Sequence, residues 1–123
     1  APPPNLDPKW WGPHTGYTLA KMGMSLVTLG LAEEFKGRVA VNALWPKTVI
    51  ATDAINMIPG VELSACRKPD IVADAAVAIL QQAFTAASGH FYIDETVLAE
   101  TGIRDFDAYA VQPGNRLLPD LFL

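Results

Sequence analysis

The most regular pattern of hydrophobic positions lies between residues 17 and 35, and it predicts a helix that begins near His14. Apolar side chains cover most of its circumference and leave one narrow polar stripe at positions spaced 3, 4 and 3 apart: Thr18, Lys21, Ser25 and Thr28. A helix that is apolar nearly all round is normally buried. We therefore expect this helix to be buried on most sides and to be closed by Gly37, which tolerates positive φ.

Two further segments predict strands of a parallel sheet. Residues 38–44 are β-branched and apolar on both alternating faces, and residues 90–93 form a similar, shorter run. Both patterns are typical of strands that are covered on both sides. Residues 69–82 carry apolar side chains on one face and predict the helix between them. A strand–helix–strand unit of this kind forms a right-handed parallel crossover.

The rest of the chain predicts less regular structure. Residues 1–13 hold five of the ten prolines, and because proline fixes φ and removes a backbone donor, we expect a loop there. Residues 51–67 predict a mobile, apolar segment, and residues 103–123 a tail punctuated by prolines. Asp94 can cap a last short helix that runs through Glu100.

Two parallel strands with apolar faces cannot close a core of their own, because stable parallel sheets need more strands. The pattern therefore predicts the second part of a larger α/β domain. Either an upstream part of the chain or another subunit would supply the missing sheet.

The composition narrows the class of protein. The chain has 123 residues, with 9 Lys+Arg against 13 Asp+Glu and a hydrophobic fraction of 50%, which is typical of one globular domain. The net charge of −4 offers no basic field, so nucleic acid is not an expected partner. The longest nearly apolar run, residues 22–32, is about half of the roughly 20 residues that a membrane span needs.

Cysteine usage and the N-terminal pattern set two further expectations. Cys66 is the single cysteine, which excludes an internal disulfide and a cysteine-based zinc site, and we expect no metal site. The chain shows no signal-peptide pattern. The expected compartment is reduced and cytoplasmic, or an organelle if the source is eukaryotic.

The first candidate for chemistry is the pair Tyr17 and Lys21. Positions i and i+4 of a helix lie on one face, one turn apart. A lysine ammonium beside a phenol favours the phenolate, so such a tyrosine can give or take a proton at a hydroxyl or carbonyl oxygen. The alternative is an ordinary helix with a surface lysine. The context favours the proton-transfer interpretation, because the pair lies at the start of an apolar helix that precedes a parallel-type strand.

The second candidate is the segment 42–52, which leaves the carboxyl end of the first predicted strand. Ligands of open parallel sheets bind outside the carboxyl ends of the strands. Pro46 stiffens the turn, and backbone groups near Thr48 and Ile50, with the hydroxyl of Thr52, could meet the amide and phosphates of a dinucleotide. The alternative is a plain exit from the strand.

Together these residues resemble the short-chain dehydrogenase/reductase family. The family's Tyr-x-x-x-Lys pair matches Tyr17 and Lys21. Its strand followed by Asn-x-Val-x-Pro-Gly-x-Val-x-Thr is similar to residues 42–52, with Ile50 and Thr52 after a one-residue offset. Runs along the whole chain are similar to one group of its members: PPPNLDP, YTLAKMGMS, AEEFKG, VNALWPKT and the tail from Tyr109 to Leu123.

The resemblance implies a fold, a reaction and a cofactor. The fold would be α/β, the C-terminal part of a Rossmann-like, doubly wound parallel sheet that is incomplete without upstream strands. Residues 1–123 would be the C-terminal half of one dehydrogenase domain, and the half that binds the dinucleotide phosphates would lie outside the chain. The reaction would interconvert an alcohol and a carbonyl with NAD or NADP. Tyr17 would be the general acid/base, and Lys21 would assist it and hold the nicotinamide ribose.

The resemblance also implies pocket residues and partners. The nicotinamide end would be lined by Pro46, Thr48, Ile50 and Thr52. The substrate would be bordered by Trp10, Trp11, Trp45 and Met57, although from the sequence alone Trp10 and Trp11 could equally be anchors on the domain's own core. An apolar substrate of the fatty, terpenoid or steroid-like kind, a place in lipid metabolism and a homo-oligomer are expected.

Departures from the family pattern keep other functions open. The Gly-rich phosphate loop does not occur in this chain, Ala1 stands at or beside the position of the family's active-site serine, and Lys47 replaces a glycine. The 123 residues alone are therefore expected to be inactive. One alternative is a truncated or degenerate relative that acts as a non-catalytic assembly or binding module. Another is a partner of a lipid carrier, which the apolar segment 55–61 would favour.

Overall fold

The computed structural model describes residues 1–83 and 88–123. Three helices and two short strands form in the order α1 (Pro8–Glu34), β1 (Ala43–Trp45), α2 (Asp70–Leu80), β2 (Phe91–Ile93) and α3 (Asp94–Glu100). Single 3₁₀ turns lie at Ile55–Met57, Leu63–Ala65 and Asp107–Tyr109. The two strands pair in a parallel sheet, so the α/β prediction is confirmed.

Helix α1 begins earlier than the sequence predicts, so the expected loop over residues 1–13 is wrong for its second half. Pro8 occupies the first turn, and the Asp7 carboxylate accepts the N–H of Lys9 at 3.0 Å. Aspartate as N-cap and proline in the first turn favour a helix start. The helix is then broken at His14 (φ −134°, ψ 37°), next to Pro13. A regular helix therefore does resume near His14, where the pattern predicted a start.

The exposure of α1 contradicts the prediction that the helix is buried on most sides. Within the described part of the chain, its buried residues are mostly the polar stripe: Thr18, Met22, Ser25 and Thr28. The apolar side is open, with Leu19 63% and Leu26 66% exposed. Two of the stripe hydroxyls have partners on the N-terminal side of the break at His14. Ser25 Oγ donates to the Pro2 carbonyl at 2.6 Å, and Thr18 Oγ1 donates to the Trp10 carbonyl at 2.9 Å.

The predicted strand over residues 38–44 is too long and starts too early. The backbone N–H groups of Arg38 and Val39 bond to the Phe35 carbonyl, so they complete the turn after α1 instead of joining the sheet. Gly37 lies in this turn with φ +74°, as predicted. Backbone pairing with the stretch that leads into the second strand begins where Gly89 donates to the Val41 carbonyl at 2.7 Å, and it continues where Ala43 donates to the His90 carbonyl at 2.9 Å.

The chain divides into two compact units. The first comprises Ala1–Trp45, Leu80–Tyr92 and Phe122, and the second comprises Pro46–Ile79, Ile93–Leu121 and Leu123. The second unit has a core of six buried apolar residues: Cys66, Ile71, Ala75, Val97, Leu98 and Ala110. Two of them lie on one face of α2, which confirms the predicted amphipathic helix.

Helix α3 spans the predicted residues, but Asp94 does not have the predicted role. Ile93 is the N-cap residue, and Asp94 is the first residue of the helix. Its buried carboxylate accepts the N–H groups of Lys47 at 2.9 Å and of Glu95 at 2.6 Å. The carboxylate thus serves a neighbouring segment as well as the helix end. In the described residues, no helix is both long and apolar enough to cross a bilayer.

Candidate active site

Tyr17 and Lys21 lie one turn apart on α1, as their spacing predicts. The ammonium nitrogen of Lys21 is 5.5 Å from the centre of the Tyr17 ring. Tyr17 is 44% exposed and Lys21 is half-buried. The pair therefore presents a phenol ring and a cation side by side on an accessible face of the first unit.

Phe122 holds the tyrosine ring in place, and the sequence analysis missed it. Its ring lies parallel to that of Tyr17, at a centroid distance of 6.4 Å and an interplanar angle of 1°. The rings of Trp10 and Trp45 tilt against it at 5.5 and 5.8 Å. Phe122 is 4% exposed and has φ +74°, which is a strained backbone conformation for a large side chain. In the sequence, Phe122 is one of three aromatic residues of the tail, with Phe106 and Tyr109, and no pattern singles it out for this role.

The tryptophans take different positions within the first unit. Trp10 and Trp45 share the ring of Phe122 with Tyr17, so the structure brings them to the candidate site. Trp11 instead donates its ring N–H to the Asn5 carbonyl at 3.3 Å, and the Asn5 amide donates to the Phe122 carbonyl at 3.1 Å. Trp11 therefore acts as an anchor between the N-terminal segment and the tail.

Ala1 also belongs to this unit. Its nitrogen donates to the Leu44 carbonyl at 3.1 Å. The match between Ala1 and the serine position of the family stays a prediction.

In the second unit, the segment from Pro46 to Thr52 is bonded along one edge. Val49 donates to the Leu118 carbonyl at 3.0 Å, and Ala51 donates to the Arg67 carbonyl at 2.8 Å. In extended chains, neighbouring N–H groups point to opposite sides. The backbone N–H groups of Thr48 and Ile50 accordingly form no backbone hydrogen bond within the described residues.

This edge offers donors that a dinucleotide could use. Pro46 and Ile50 are half-buried and Thr52 is exposed. The Thr48 hydroxyl is buried without a hydrogen-bond partner among the described residues. An amide group such as the nicotinamide carboxamide needs one donor and one acceptor, and a backbone edge without backbone partners supplies both. The segment therefore fits the nicotinamide end of the expected cofactor.

Four charged side chains surround the start of this segment. Glu95 accepts Lys47 Nζ on one oxygen and Arg67 Nη2 on the other, each at 2.5 Å. Burial tends to raise the pKa of Glu95, but the hydrogen bonds from Lys47 and Arg67 and their charges outweigh it, so the pKa is lowered. Burial dominates at Asp94 and raises its pKa, against the two N–H groups it accepts and the Arg67 charge.

Met57 and the question of a metal site remain among the predictions from the sequence. Met57 lies in a 3₁₀ turn with 79% of its surface exposed. This is consistent with a segment that is apolar and loosely packed. Among residues 1–83 and 88–123, no group of three or more His, Cys, Asp or Glu side chains could hold a metal ion.

The fold matches the C-terminal portion of dehydrogenases of known structure, which confirms the predicted fold class. A crystal structure from Xanthomonas campestris, provisionally described as a dehydrogenase, has a TM-score of 0.95 and 65% sequence identity, and the match covers 100% of this chain and 46% of that one. A short chain dehydrogenase from Mycobacterium thermoresistibile has a TM-score of 0.87 and 40% identity, with coverage of 100% and 44%.

Curated relatives carry the name hydroxysteroid dehydrogenase-like protein 2. The Danio rerio protein is 57% identical over 124 residues, which cover 100% of this chain and 30% of the relative. The Homo sapiens protein is 56% identical over 125 residues, with coverage of 100% and 29%. The chain therefore spans about 30% of the length of the curated relatives it matches. These relatives confirm the resemblance seen in the sequence, although no family model matches the chain.

Proposed function

We propose that this chain is the C-terminal half of an NAD(P)-dependent short-chain dehydrogenase/reductase domain that interconverts an alcohol and a carbonyl on an apolar substrate. The observation that carries the proposal is the pair Tyr17 and Lys21. The phenol is accessible, Phe122 stacks on its ring, and an ammonium lies one helical turn away. The pair occurs in a chain that is similar over its whole length to dehydrogenases.

The proposed chemistry assigns the proton to Tyr17. In the reducing direction, the Tyr17 hydroxyl donates its proton to the carbonyl oxygen of the substrate, and in the oxidising direction the phenolate takes it back. Lys21 stabilises the phenolate through its positive charge. The bound nicotinamide supplies or accepts the hydride. The stacked rings of Tyr17 and Phe122 restrict the phenol to one orientation, which lowers the entropic cost of the reaction.

The second unit is proposed to bind the nicotinamide end of the cofactor. Pro46 holds the turn, and the N–H groups of Thr48 and Ile50 face away from the bonded edge and remain available as donors. Thr52 adds an exposed hydroxyl. Either NAD or NADP suits these groups, because the two cofactors have the same nicotinamide end and differ only at the adenosine ribose.

The residues that we propose as substrate contacts are aromatic or aliphatic: Trp10, Trp11, Trp45 and Met57. Rings and thioethers offer surface to hydrocarbon but few hydrogen bonds. A fatty, terpenoid or steroid-like alcohol or ketone fits that chemistry. The contribution of Trp11 is expected to be the smallest, because its ring N–H already bonds to Asn5.

The protein is also proposed to be a homo-oligomer in a reduced compartment. The exposed apolar side of α1, with Leu19, Leu26 and Val27 at its surface, supports a helix that is covered in the assembled protein. Cys66 is free and buried, which suits a compartment without disulfides. An apolar recess of about 400 Å³ beside α1 and β1 supports the proposal that further strands complete the sheet.

The test is Tyr17→Phe in the full-length protein that carries this segment. The variant keeps the ring and its stacking but loses the hydroxyl, so turnover should fall by about 10²- to 10⁴-fold while cofactor binding persists. The measurement is hydride transfer followed by the absorbance of the reduced nicotinamide. Tyr109→Phe is the matched control, because the Tyr109 hydroxyl lies in the second unit, donates to the Asp74 carboxylate and has no assigned role in the reaction, so its loss should leave turnover unchanged.

Retained activity in Tyr17→Phe would overturn the assigned role. The mass of the protein as expressed separates the alternatives, because the 123 residues alone amount to 13.2 kDa. A natural protein of that mass that ignores NADH and NADPH would support the non-catalytic binding module instead.

A further inference from the structure

A charged cluster in the second unit lies beside the segment proposed to bind nicotinamide, and no role in the reaction has yet been assigned to it. The cluster consists of Lys47, Arg67, Asp94 and Glu95. Its side chains belong to three separate stretches of the chain, and two of them, Arg67 and Asp94, are 6% and 0% exposed. Charges of this kind are rarely buried unless they are paired.

The cluster fixes the segment at its start. The Asp94 carboxylate accepts the backbone N–H of Lys47, while Glu95 binds the Lys47 ammonium. Both backbone and side chain of Lys47 are thus held by consecutive residues at the beginning of α3. Because two bonds of different direction hold one residue, its rotation is restricted as well as its position.

The cluster also fixes the segment near its centre. The Arg67 backbone N–H donates to the Val49 carbonyl at 2.9 Å, and the Arg67 carbonyl accepts the Ala51 N–H at 2.8 Å. Arg67 thus binds the residues on both sides of Ile50. The Arg67 guanidinium binds Glu95 and lies over the ring of Phe106, with its central carbon 5.5 Å from the ring centre. Glu95 therefore connects the start of the segment to the backbone that pairs with its centre.

Several buried atoms around the segment have no hydrogen-bond partner in the described part of the chain. They are the Thr48 hydroxyl, one oxygen of Asp94, and Nε and Nη1 of Arg67. Buried polar atoms without partners are uncommon, and they concentrate where a site has been built for function. The segment is therefore held by backbone hydrogen bonds and charged contacts, while the Thr48 hydroxyl has no partner among the described residues.

We propose that Glu95 is a positioning residue for cofactor recognition: by binding Lys47 and Arg67 together, it fixes the backbone edge of Thr48 and Ile50 and so sets the affinity for the nicotinamide end of the cofactor. The inference rests on the proposed function, since it requires this segment to bind nicotinamide. Glu95 acts through the segment and does not touch the cofactor.

The test compares two ligands on the full-length protein. The first is the reduced dinucleotide, NADH or NADPH, and the second is the same molecule without its nicotinamide, ADP-ribose or its 2′-phosphate. Glu95→Gln should weaken binding of the dinucleotide on the order of 10-fold, the value of about one lost hydrogen bond, and leave the affinity for the ligand without nicotinamide unchanged. Isothermal titration calorimetry measures both affinities.

Lys47→Met provides a second variant in case Glu95→Gln does not fold. It removes the ammonium of a side chain that is 53% exposed, and keeps the backbone bond to Asp94. A smaller, several-fold loss of dinucleotide affinity is expected, again with the second ligand unaffected. Glu33→Gln is the control, because Glu33 forms an exposed pair with Lys36 on α1 and should change neither affinity.

Each outcome decides something different. Equal weakening of both ligands would mean that Glu95 serves general stability, and an unchanged dinucleotide affinity would mean that the cluster does not position the segment. Either result overturns this inference and leaves the proposed function standing. If the unaltered protein binds neither ligand, the proposed function fails and this inference fails with it.

Discussion

The two units hold their candidate functional groups by different forces. In the first unit, Tyr17 is oriented by apolar contact, since its ring stacks on Phe122 and Phe122 is packed by Trp10 and Trp45. In the second unit, the segment from Pro46 to Thr52 is held by backbone bonds and by the carboxylates of Asp94 and Glu95. One site relies on buried ring surface and the other on charge.

This difference predicts how each region should respond to pH and salt. Ring stacking and burial depend on shape and buried area, which neither pH nor salt changes much near neutrality. A carboxylate loses its attraction to a neighbouring cation when it is protonated. Salt also partly screens ion pairs in which one partner is exposed. The proton-transfer group should therefore keep its place under conditions that loosen the cofactor segment.

The largest expected effect tests the aromatic region. Phe122→Ala removes the ring that Tyr17, Trp10 and Trp45 share, and should lower the free energy of unfolding by about 3–5 kcal/mol. Chemical denaturation measures the loss. Leu80→Ala is the control, since Leu80 is 83% exposed and should change stability by less than about 0.5 kcal/mol. A loss as small as that of the control would show that the rings do not organise this region.

The next effect tests the charged region through its pH dependence. The pKa of Glu95 is lowered, so its contribution to stability is present above its ordinary value of 4.5 and is lost as the pH falls through the lowered pKa. Glu95→Gln should cost about 1–2 kcal/mol at neutral pH, and the cost should shrink in acid. Urea denaturation between about pH 3 and pH 7 measures it.

Asp94 should show the opposite sign. Its raised pKa means that its contribution to stability is present below its ordinary value of 3.8 and is lost as the pH rises through the raised pKa. As the pH rises from acid to neutral, the free energy of unfolding of Asp94→Asn should therefore increase relative to that of the unaltered protein. Parallel pH profiles for the Glu95 and Asp94 variants would contradict this account of the cluster.

The smallest effect concerns the polar stripe of α1. Ser25→Ala removes the buried hydroxyl that bonds to the Pro2 carbonyl, and should lower the free energy of unfolding by about 1 kcal/mol at every pH. Glu33→Gln, at an exposed ion pair, should cost less than about 0.5 kcal/mol. If the two variants had equal effects, the stripe would not anchor the N-terminal segment.

Several features of the molecule follow from local sequence. The apolar face of residues 69–82 predicted α2, the turn residue Gly37 has the expected positive φ, and the spacing of Tyr17 and Lys21 placed them one turn apart on a helix. These features depend on bonds and contacts between residues within about one or two helical turns, which a sequence pattern records directly. The same holds for the start of α1 at Pro8, where Asp7 and Pro8 carried a signal that the number of prolines concealed.

Other features were decided only by the tertiary structure. Which side of α1 is buried depends on the segments that reach it from outside the helix, and here the Pro2 carbonyl accepts the hydroxyl of Ser25, 23 positions away. Phe122 is held at the candidate site by a contact of the same kind, since its carbonyl accepts a hydrogen bond from the side chain of Asn5, 117 positions away in the chain. Asp94 and Glu95 likewise bind Lys47 across 47 and 48 positions. No periodicity records such pairings, because they exist only once the chain has closed on itself.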